Sequence, residues 1–144
     1  GTEVVVHRKG ATPAHENEFG IIPGSMTAPG YLVQGLGQGE AIYSASHGAG
    51  RQLSRSKARK NLTEDEITKV LKANGVTLLG GDLDEAPMAY KNIDEVMQQQ
   101  TDLVKVIGRF SPSIVRMADK EKWMTKKKKG RIDTSSGDIS FNET

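Results

Sequence analysis

The sequence predicts an α+β fold of short strands and about three helices, followed by a flexible C-terminal tail. The chain has 144 residues, of which 35% are hydrophobic and 5% aromatic, enough for one domain with a small core. Ten of its 16 glycines lie in the first fifty residues, which predicts a loop-rich N-terminal third. Short apolar runs then alternate with helical patterns until about residue 120.

The first fifty residues predict short strands separated by turns. The segment EVVVH, Glu3–His7, predicts a buried strand whose end carries His7 into a loop. Residues 8–20 contain turn residues and no apolar period, which predicts a loop. The Pro23-Gly24 dipeptide predicts a tight turn that presents Ser25. Two more strands are expected in YLVQGLG and EAIYSAS, joined near the glycines between them.

Three helices are expected beyond this region. The first runs from about Gly50 to Lys60. The clearest lies in NLTEDEITKVLKANG, where Thr63 and Glu66 form a capping box. The third lies in NIDEVMQQQTDL, with four apolar side chains facing inwards: Ile93, Val96, Met97 and Leu103. The segment VTLLGG predicts a short strand between the second and third helices, and VKVIGRFSPSIVRM predicts two strands around Ser111-Pro112.

Charge divides the chain near residue 120. Residues 1–119 carry 13 Lys/Arg against 14 Asp/Glu, whereas residues 120–144 carry 7 against 4. We therefore expect one domain over residues 1–119 and a polar, basic, disordered tail over residues 120–144. The lysine run Lys126–Lys129 could contact RNA phosphates, although such runs are most often solvated.

Several absences narrow the class of protein. The chain has no cysteine, which excludes a disulfide framework and favours a reducing compartment. No apolar run approaches the roughly 20 residues that span a bilayer, and nothing at the N-terminus resembles a signal peptide. We therefore expect a cytoplasmic protein with no membrane partner. Because the chain starts with Gly1 and runs directly into a predicted strand, we expect it to be part of a longer protein.

The strongest chemical signal is SASHGAGRQLSR, Ser44–Arg55. Four residues spaced by four would share one helical face: His47, Arg51, Arg55 and Arg59. If the helix begins near residues 46–48, its glycines let an anion approach exposed backbone N–H groups, and the guanidiniums can bind phosphate. A histidine held against phosphate can act as an acid, a base or a nucleophile. We favour this interpretation over one in which His47 caps the helix and the arginines are solvated.

The remaining candidates each have a functional and a structural interpretation. His7 could be a metal ligand, since neutral imidazole suits Mn, Zn or Fe, but no second histidine shows a ligand spacing. His15 lies beside two glutamates, for which a solvated acidic loop is the favoured interpretation. Ser25 could offer its hydroxyl to a ligand or stabilise its turn. Tyr90 could stack on a base or pack in the core.

Four stretches together resemble the signatures of the RtcB family of RNA-splicing ligases. They are HRKGAT (His7–Thr12), PGSM (Pro23–Met26), SASHGAGRQLSR (Ser44–Arg55) and DEAPMAYKNIDEV (Asp84–Val96). The resemblance runs in the family's order from about Val4 to Met117. It implies that residues 1–119 are the C-terminal segment of the larger mixed RtcB-like fold.

The resemblance also implies an activity. The family joins RNA ends bearing a 2′,3′-cyclic phosphate or 3′-phosphate to 5′-hydroxyl ends, using GTP and Mn²⁺. By resemblance, His47 is the nucleophile that takes GMP and His7 is a manganese ligand. Guanylate would be held by Ser25, Ala49, Gly50 and Tyr90, and phosphates by Arg51 and Arg55. The implied partners are RNA, GTP and the missing N-terminal part of the parent protein.

Departures from the family pattern leave other functions open. The family's other metal ligands lie in an N-terminal part that this sequence does not contain, so we expect this chain alone to be inactive. We also expect it to self-associate, because its open apolar edges can pair with another copy. Gly30 stands where the family has serine, and Met117 stands where it has a lysine that reads guanine, which Lys120 or a tail lysine could replace. A nucleotide- or phosphate-binding module without catalysis and an RNA-binding accessory piece therefore stay open.

Overall fold

The computed structural model describes residues 3–118 and confirms an α+β fold with three α-helices among them. The tail predicted over residues 120–144 lies outside this range. In chain order the elements are β1 (Ala11–Pro13), β2 (Phe19–Pro23), β3 (Gly30–Gly35), β4 (Ser44–Ser46), α1 (Arg55–Asn61), α2 (Glu64–Ala73), β5 (Thr77–Leu79), α3 (Ile93–Gln98), β6 (Val104–Phe110) and β7 (Ile114–Arg116). Two short 3₁₀ turns, Leu83–Glu85 and Pro87–Ala89, lie between β5 and α3.

The larger part of the core is built on an antiparallel sheet in the order β2-β3-β6. Alternate residues of these strands point to one face, where they meet α3. We call this group the sheet cluster; its buried members are Ala14, Ile22, Tyr31, Val33, Ala45, Ala49, Ile93, Met97 and Val104. The opposite face of the same sheet leaves Phe19 and Ile21 more than half exposed.

A two-stranded ribbon connects this sheet to the segment that carries His47. β1 pairs antiparallel with β4, with Ala11 opposite Ser46 and Thr12 opposite Ala45. Ala45 belongs to the sheet cluster, and β4 ends at the residue before His47. The ribbon therefore anchors the start of the SASHGAGRQLSR segment to the core.

A second, smaller core surrounds α2 and the parallel pair β5-β7. We call it the helical cluster; its buried members are Met26, Ile67, Leu71, Val76 and Ala86. α2 begins with the predicted capping box: the Glu66 N–H donates to Thr63 Oγ1 at 3.3 Å, and the Thr63 N–H donates to Glu66 Oε2 at 2.8 Å. The Thr63 hydroxyl also donates to Glu66 Oε2 at 2.8 Å, and this bond, together with that from the Thr63 N–H, lowers the pKa of Glu66 below its usual range.

Two predictions for the N-terminal residues are wrong. Glu3–His7 forms no strand, and Val4, Val5 and Val6 are 70%, 98% and 44% exposed. These valines favour a strand, but none of the described residues pairs with them. The predicted loop over residues 8–20 contains β1, which pairs with β4, and the first two residues of β2.

Two other elements start later than predicted. Only Ser44–Ser46 of EAIYSAS is a strand, because Ile42 and Tyr43 adopt positive φ angles of 52° and 49° that end extended structure. The first helix begins at Arg55 instead of Gly50, with Ser54 Oγ accepting the Lys57 N–H at 3.2 Å. The predicted strands in YLVQGLG and VKVIGRFSPSIVRM, and the two later helices, are confirmed. No helix in residues 3–118 is both long enough and apolar enough to cross a membrane.

Candidate functional site

A cavity of about 720 Å³ gathers seven of the eight predicted site residues. Its walls come from both clusters, since Ala49 belongs to the sheet cluster and Met26 to the helical cluster. The predicted residues in its lining are Ser25, His47, Ala49, Gly50, Arg51, Arg55 and Tyr90. Others that line it are Lys9, Pro23, Gly24, Gly48, Glu85, Val115 and Met117.

The backbone around His47 is held by hydrogen bonds to distant segments. The Ala49 N–H donates to the Pro23 carbonyl at 3.1 Å, and the His47 N–H donates to the Gly10 carbonyl at 3.3 Å. One residue earlier, the Ser46 N–H donates at 2.9 Å to the side chain of buried Gln100. The chain then turns through Gly50 at a φ of +72°, which favours glycine. The segment therefore has a fixed backbone without being helical.

Unlike its backbone, the His47 side chain is not held by hydrogen bonds to other side chains of the described residues. Its residue is exposed, and no other side chain within residues 3–118 forms a hydrogen bond with its imidazole. Because the imidazole lines the cavity and has no such partner, both ring nitrogens can meet a ligand there. An imidazole in this situation is available as a nucleophile or as a proton carrier.

The predicted helix N-terminus at residues 46–48 is wrong. α1 begins only at Arg55, so of the four residues expected on one helical face only Arg55 and Arg59 are helical. The Ala49 N–H in this segment donates to the Pro23 carbonyl and so is not open to an anion. Tertiary packing, not helical spacing, therefore brings His47, Arg51 and Arg55 to the same cavity.

Arg51 and Tyr90 form a paired unit at the cavity wall. The two residues make an isolated β-bridge, and the guanidinium lies 5.0 Å from the centre of the Tyr90 ring. Arg51 Nη1 donates to Tyr90 Oη at 3.2 Å, its Nε donates to the Leu53 carbonyl at 3.0 Å, and its Nη2 donates to the Asp84 carbonyl. Burial and the hydrogen bond to Glu85 raise the pKa of Tyr90, so the phenol stays neutral at ordinary pH.

The arginines predicted to bind phosphate already contact carboxylates. Arg55 Nη1 is paired with both Asp84 and Glu85, which raises the pKa of Arg55. Arg59 is paired with Asp84 and with Asp82. Sequence reasoning missed these partners. The signal available for them was DLDE, an acidic run that can face arginines spaced by four.

His7 is the one predicted site residue that does not line the cavity. It is exposed, and residues 3–118 contain no group of three or more His, Cys, Asp or Glu side chains able to hold a metal ion. His15 instead stacks on the Tyr43 ring at 5.0 Å, and the Glu18 carboxylate accepts the His15 backbone N–H. The described residues alone therefore do not fit a manganese site.

Three further positions bear on ligand recognition. Ser25 lines the cavity and also stabilises its turn, since its Oγ accepts the Ala28 N–H at 3.3 Å. A side-chain carbon at Gly30 would overlap the Phe110 ring, so serine there requires that ring to move. Met117 lines the cavity together with Val115, which makes that part of the wall apolar.

The fold and site together define an α+β segment whose cavity is lined by an exposed histidine, glycines and arginines. A family model described as tRNA-splicing ligase RtcB matches residues 1–118. The chain belongs to the RtcB family, as its motifs predict.

Curated relatives agree with this assignment. The chain is 47% identical over 107 residues to the RNA-splicing ligase RtcB of Escherichia coli (strain K12), an alignment that covers 74% of this chain and 26% of the relative. It is 39% identical over 136 residues to the tRNA-splicing ligase RtcB of Nanoarchaeum equitans, covering 78% and 28%. It is 35% identical over 128 residues to the RNA-splicing ligase RtcB of Mycobacterium tuberculosis, covering 76% and 30%. The chain thus spans between a quarter and a third of the length of these relatives.

Proposed function

We propose that this chain supplies the guanylate-attachment site of an RNA ligase. The ligase would join 2′,3′-cyclic phosphate or 3′-phosphate RNA ends to 5′-hydroxyl ends through a GMP-histidine intermediate on His47. One observation carries the proposal: an exposed imidazole without a side-chain partner in residues 3–118 lines the cavity that also contains six other predicted site residues. The RNA-splicing ligase names of the curated relatives support the substrate class.

The proposed first step is nucleotidyl transfer to His47. A neutral ring nitrogen attacks the α-phosphorus of GTP, a P–N bond forms, and the bond from phosphorus to the pyrophosphate oxygen breaks. Pyrophosphate leaves with the electron pair of that bond. The guanidiniums of Arg51 and Arg55 lie at the same cavity and can offset the negative charge of the phosphates. GTP and RNA are therefore the proposed partners, and the cytoplasm is the proposed location.

A manganese site would need ligands beyond those that residues 3–118 provide. His7 alone cannot hold an ion, and it does not line the cavity. Because the chain spans only about a quarter of its Escherichia coli relative, we propose that the other ligands come from family segments outside this sequence. The same proposal explains why we expect no ligation by the 144-residue chain alone.

A second candidate is a nucleotide-binding module without catalysis. The apolar wall at Val115 and Met117 favours it, because a base packed there would meet no charged side chain from these two positions. In that case the cavity would bind GMP, and His47 would form no covalent bond.

A labelling experiment separates the two candidates. Residues 1–118 replace the matching segment of the Escherichia coli relative, and the chimera is incubated with [α-³²P]GTP and Mn²⁺. We expect covalent label on the chimera, none on its His47→Ala variant, and undiminished label on His15→Ala, which changes an exposed histidine outside the cavity. A folded chimera that binds GMP but takes no label would favour the module. Equal labelling of His47→Ala would contradict the proposed nucleophile.

A further inference from the structure

Three arginines converge on one buried residue beside the cavity. Asp84 is 2% exposed. Its Oδ2 pairs with Arg55 Nη1, its Oδ1 lies 3.1 Å from Arg59 Nη2, and its carbonyl oxygen accepts Arg51 Nη2. Asp84 does not line the cavity, whereas Arg51 and Arg55 do. Its carboxylate therefore contacts the Arg55 guanidinium, and its backbone carbonyl contacts the Arg51 guanidinium, without the carboxylate facing a ligand.

The next residue, Glu85, is placed differently. Its side chain lines the cavity and is 20% exposed. Its Oε1 accepts Arg55 Nη1 and lies 3.8 Å from Arg51 Nη1, and its Oε2 accepts the Tyr90 hydroxyl. All three partners line the same cavity. The Glu85 carboxylate thus occupies the cationic and hydroxyl donors that a ligand phosphate in this cavity would use.

Because of these placements, the two carboxylates should affect ligand binding at the arginines in different ways. The Arg55 side chain is 61% exposed but the Asp84 side chain only 3%, so a ligand can reach Arg55 and cannot replace Asp84 behind it. Without the Asp84 carboxylate, Arg55 regains conformational freedom, and binding a ligand must then remove that freedom again. Arg51 stays bonded to the Asp84 backbone carbonyl, which a substitution does not remove. Glu85 competes directly, since its charge-assisted bonds must break before a phosphate takes the same donors.

We propose that Asp84 and Glu85 act on the anion site with opposite sign. Asp84 is a positioning residue whose carboxylate fixes Arg55, and Glu85 is an internal competitor that a ligand phosphate displaces. The inference rests on the proposed function, which brings a guanylate phosphate to these arginines. Charge alone predicts the same sign for both residues, because removing either carboxylate removes a negative charge near the anion. The sign of the Asp84 effect therefore distinguishes positioning from simple electrostatics.

The test is a two-dimensional NMR titration of the 144-residue chain with inorganic phosphate and, separately, with GMP. Asp84→Asn is expected to weaken the binding of both probes about fivefold to tenfold. Glu85→Gln is expected to tighten their binding about threefold. Both changes are of the size expected for a single charge-assisted contact. Asp82→Asn is the matched control, because Asp82 pairs with Arg59, which does not line the cavity. It is expected to leave both affinities within about twofold.

A double variant tests positioning against a general loss of structure. In the Arg55→Ala background, Asp84→Asn is expected to have no further effect on phosphate affinity, whereas a global structural defect would still lower it. Thermal unfolding of each variant checks folding. If Asp84→Asn is not fully folded, Asp84→Glu replaces it, and the displaced carboxylate is expected to weaken phosphate binding in a folded chain.

The outcomes separate this inference from the proposed function. Tighter or unchanged binding in folded Asp84 variants, weaker binding in Glu85→Gln, or no phosphate binding by any variant would overturn the inference. If phosphate follows the expected signs but GMP binds no more tightly than phosphate, the carboxylate roles stand and the guanylate site fails. If GMP binds the unmodified chain tightly and the signs do not follow, only the carboxylate roles fail.

Discussion

The two clusters that flank the cavity are built in different ways. The sheet cluster contains two fully buried large side chains, Ile22 and Ile93, and its sheet pairs Gly30 with Phe110, two residues that are far apart in the sequence. The helical cluster is mostly local around α2, and its two strands have three residues each. His47 follows the ribbon anchored in the sheet cluster, whereas Met117 packs against the helical cluster.

This difference indicates that one wall of the cavity is held more firmly than the other. The wall that carries His47 is fixed by long-range strand pairing and by backbone bonds to Pro23 and Gly10. The wall that carries Met117 depends on few packed side chains and can adjust to a ligand at lower cost. We therefore expect substitutions in the sheet cluster to affect the whole fold, and substitutions in the helical cluster to act more locally.

The largest effect is expected from Ile93→Ala in the sheet cluster. Ile93 is 1% exposed and its side chain contributes to the packing of α3 on the sheet. Truncation should lower the free energy of unfolding by about 4 kcal/mol, within the range for buried isoleucine. Urea unfolding followed by circular dichroism measures it. A loss below about 1 kcal/mol would show that the sheet cluster does not dominate stability.

A smaller effect is expected from Ile67→Ala in the helical cluster. Ile67 is 6% exposed and borders a surface groove, so the cavity left behind can partly fill with solvent. We expect a loss of about 2 kcal/mol. Hydrogen exchange should accelerate in α2 and β5 but not at Ala45 in β4. Equal acceleration at both places would contradict the separation of the two clusters.

A matched pair of glycines sharpens the comparison at the site. Gly50 and Gly75 have φ angles of +72° and +65°, and a side chain at either position would meet open space. Gly50→Ala and Gly75→Ala should therefore each cost about 1 kcal/mol of backbone strain. Only Gly50→Ala is expected to weaken GMP binding, measured by NMR titration. Equal weakening by both variants would mean that general stability, and not the local backbone, governs binding.

The smallest effect is expected from Thr63→Ala at the start of α2. Loss of this cap should cost about 1 kcal/mol at neutral pH without changing GMP affinity. The Glu66 pKa is lowered in the folded protein, so its contribution is present above the pKa of the unfolded chain and is lost as pH falls through the folded pKa. The difference in stability between the two proteins should therefore shrink in acid. A constant difference from pH 7 to pH 3 would contradict this origin.

Local signals account for the elements that the sequence predicts well. α2 is predicted because its capping box and apolar stripe lie within a dozen residues of each other. The start of α1 is not predicted correctly. The residues before it form the Gly50 turn and the bridge between Arg51 and Tyr90, which depend on residues far apart in the chain. The valines after Glu3 mislead for a related reason: a strand needs a partner, and the described residues provide none.

Local sequence signals also fail to predict the long-range contacts of the site. Its motifs identify seven cavity residues. The spacing of His47, Arg51 and Arg55 predicts one helical face, whereas tertiary packing brings them together. The carboxylates of Asp84 and Glu85 lie about thirty residues from Arg55 in sequence, so the acidic run DLDE could suggest partners for arginines but could not identify Arg55 as one of them. Guanylate attachment and metal binding stay predictions.

The most direct test of the central claim is to map the nucleotide adduct on the chimera. After incubation with GTP and Mn²⁺, the protein is digested at neutral pH and the peptides are sequenced by mass spectrometry. We predict one GMP on the peptide that contains His47, attached to the imidazole. An adduct on Lys9, which lines the same cavity, or on a residue outside the cavity would contradict the account.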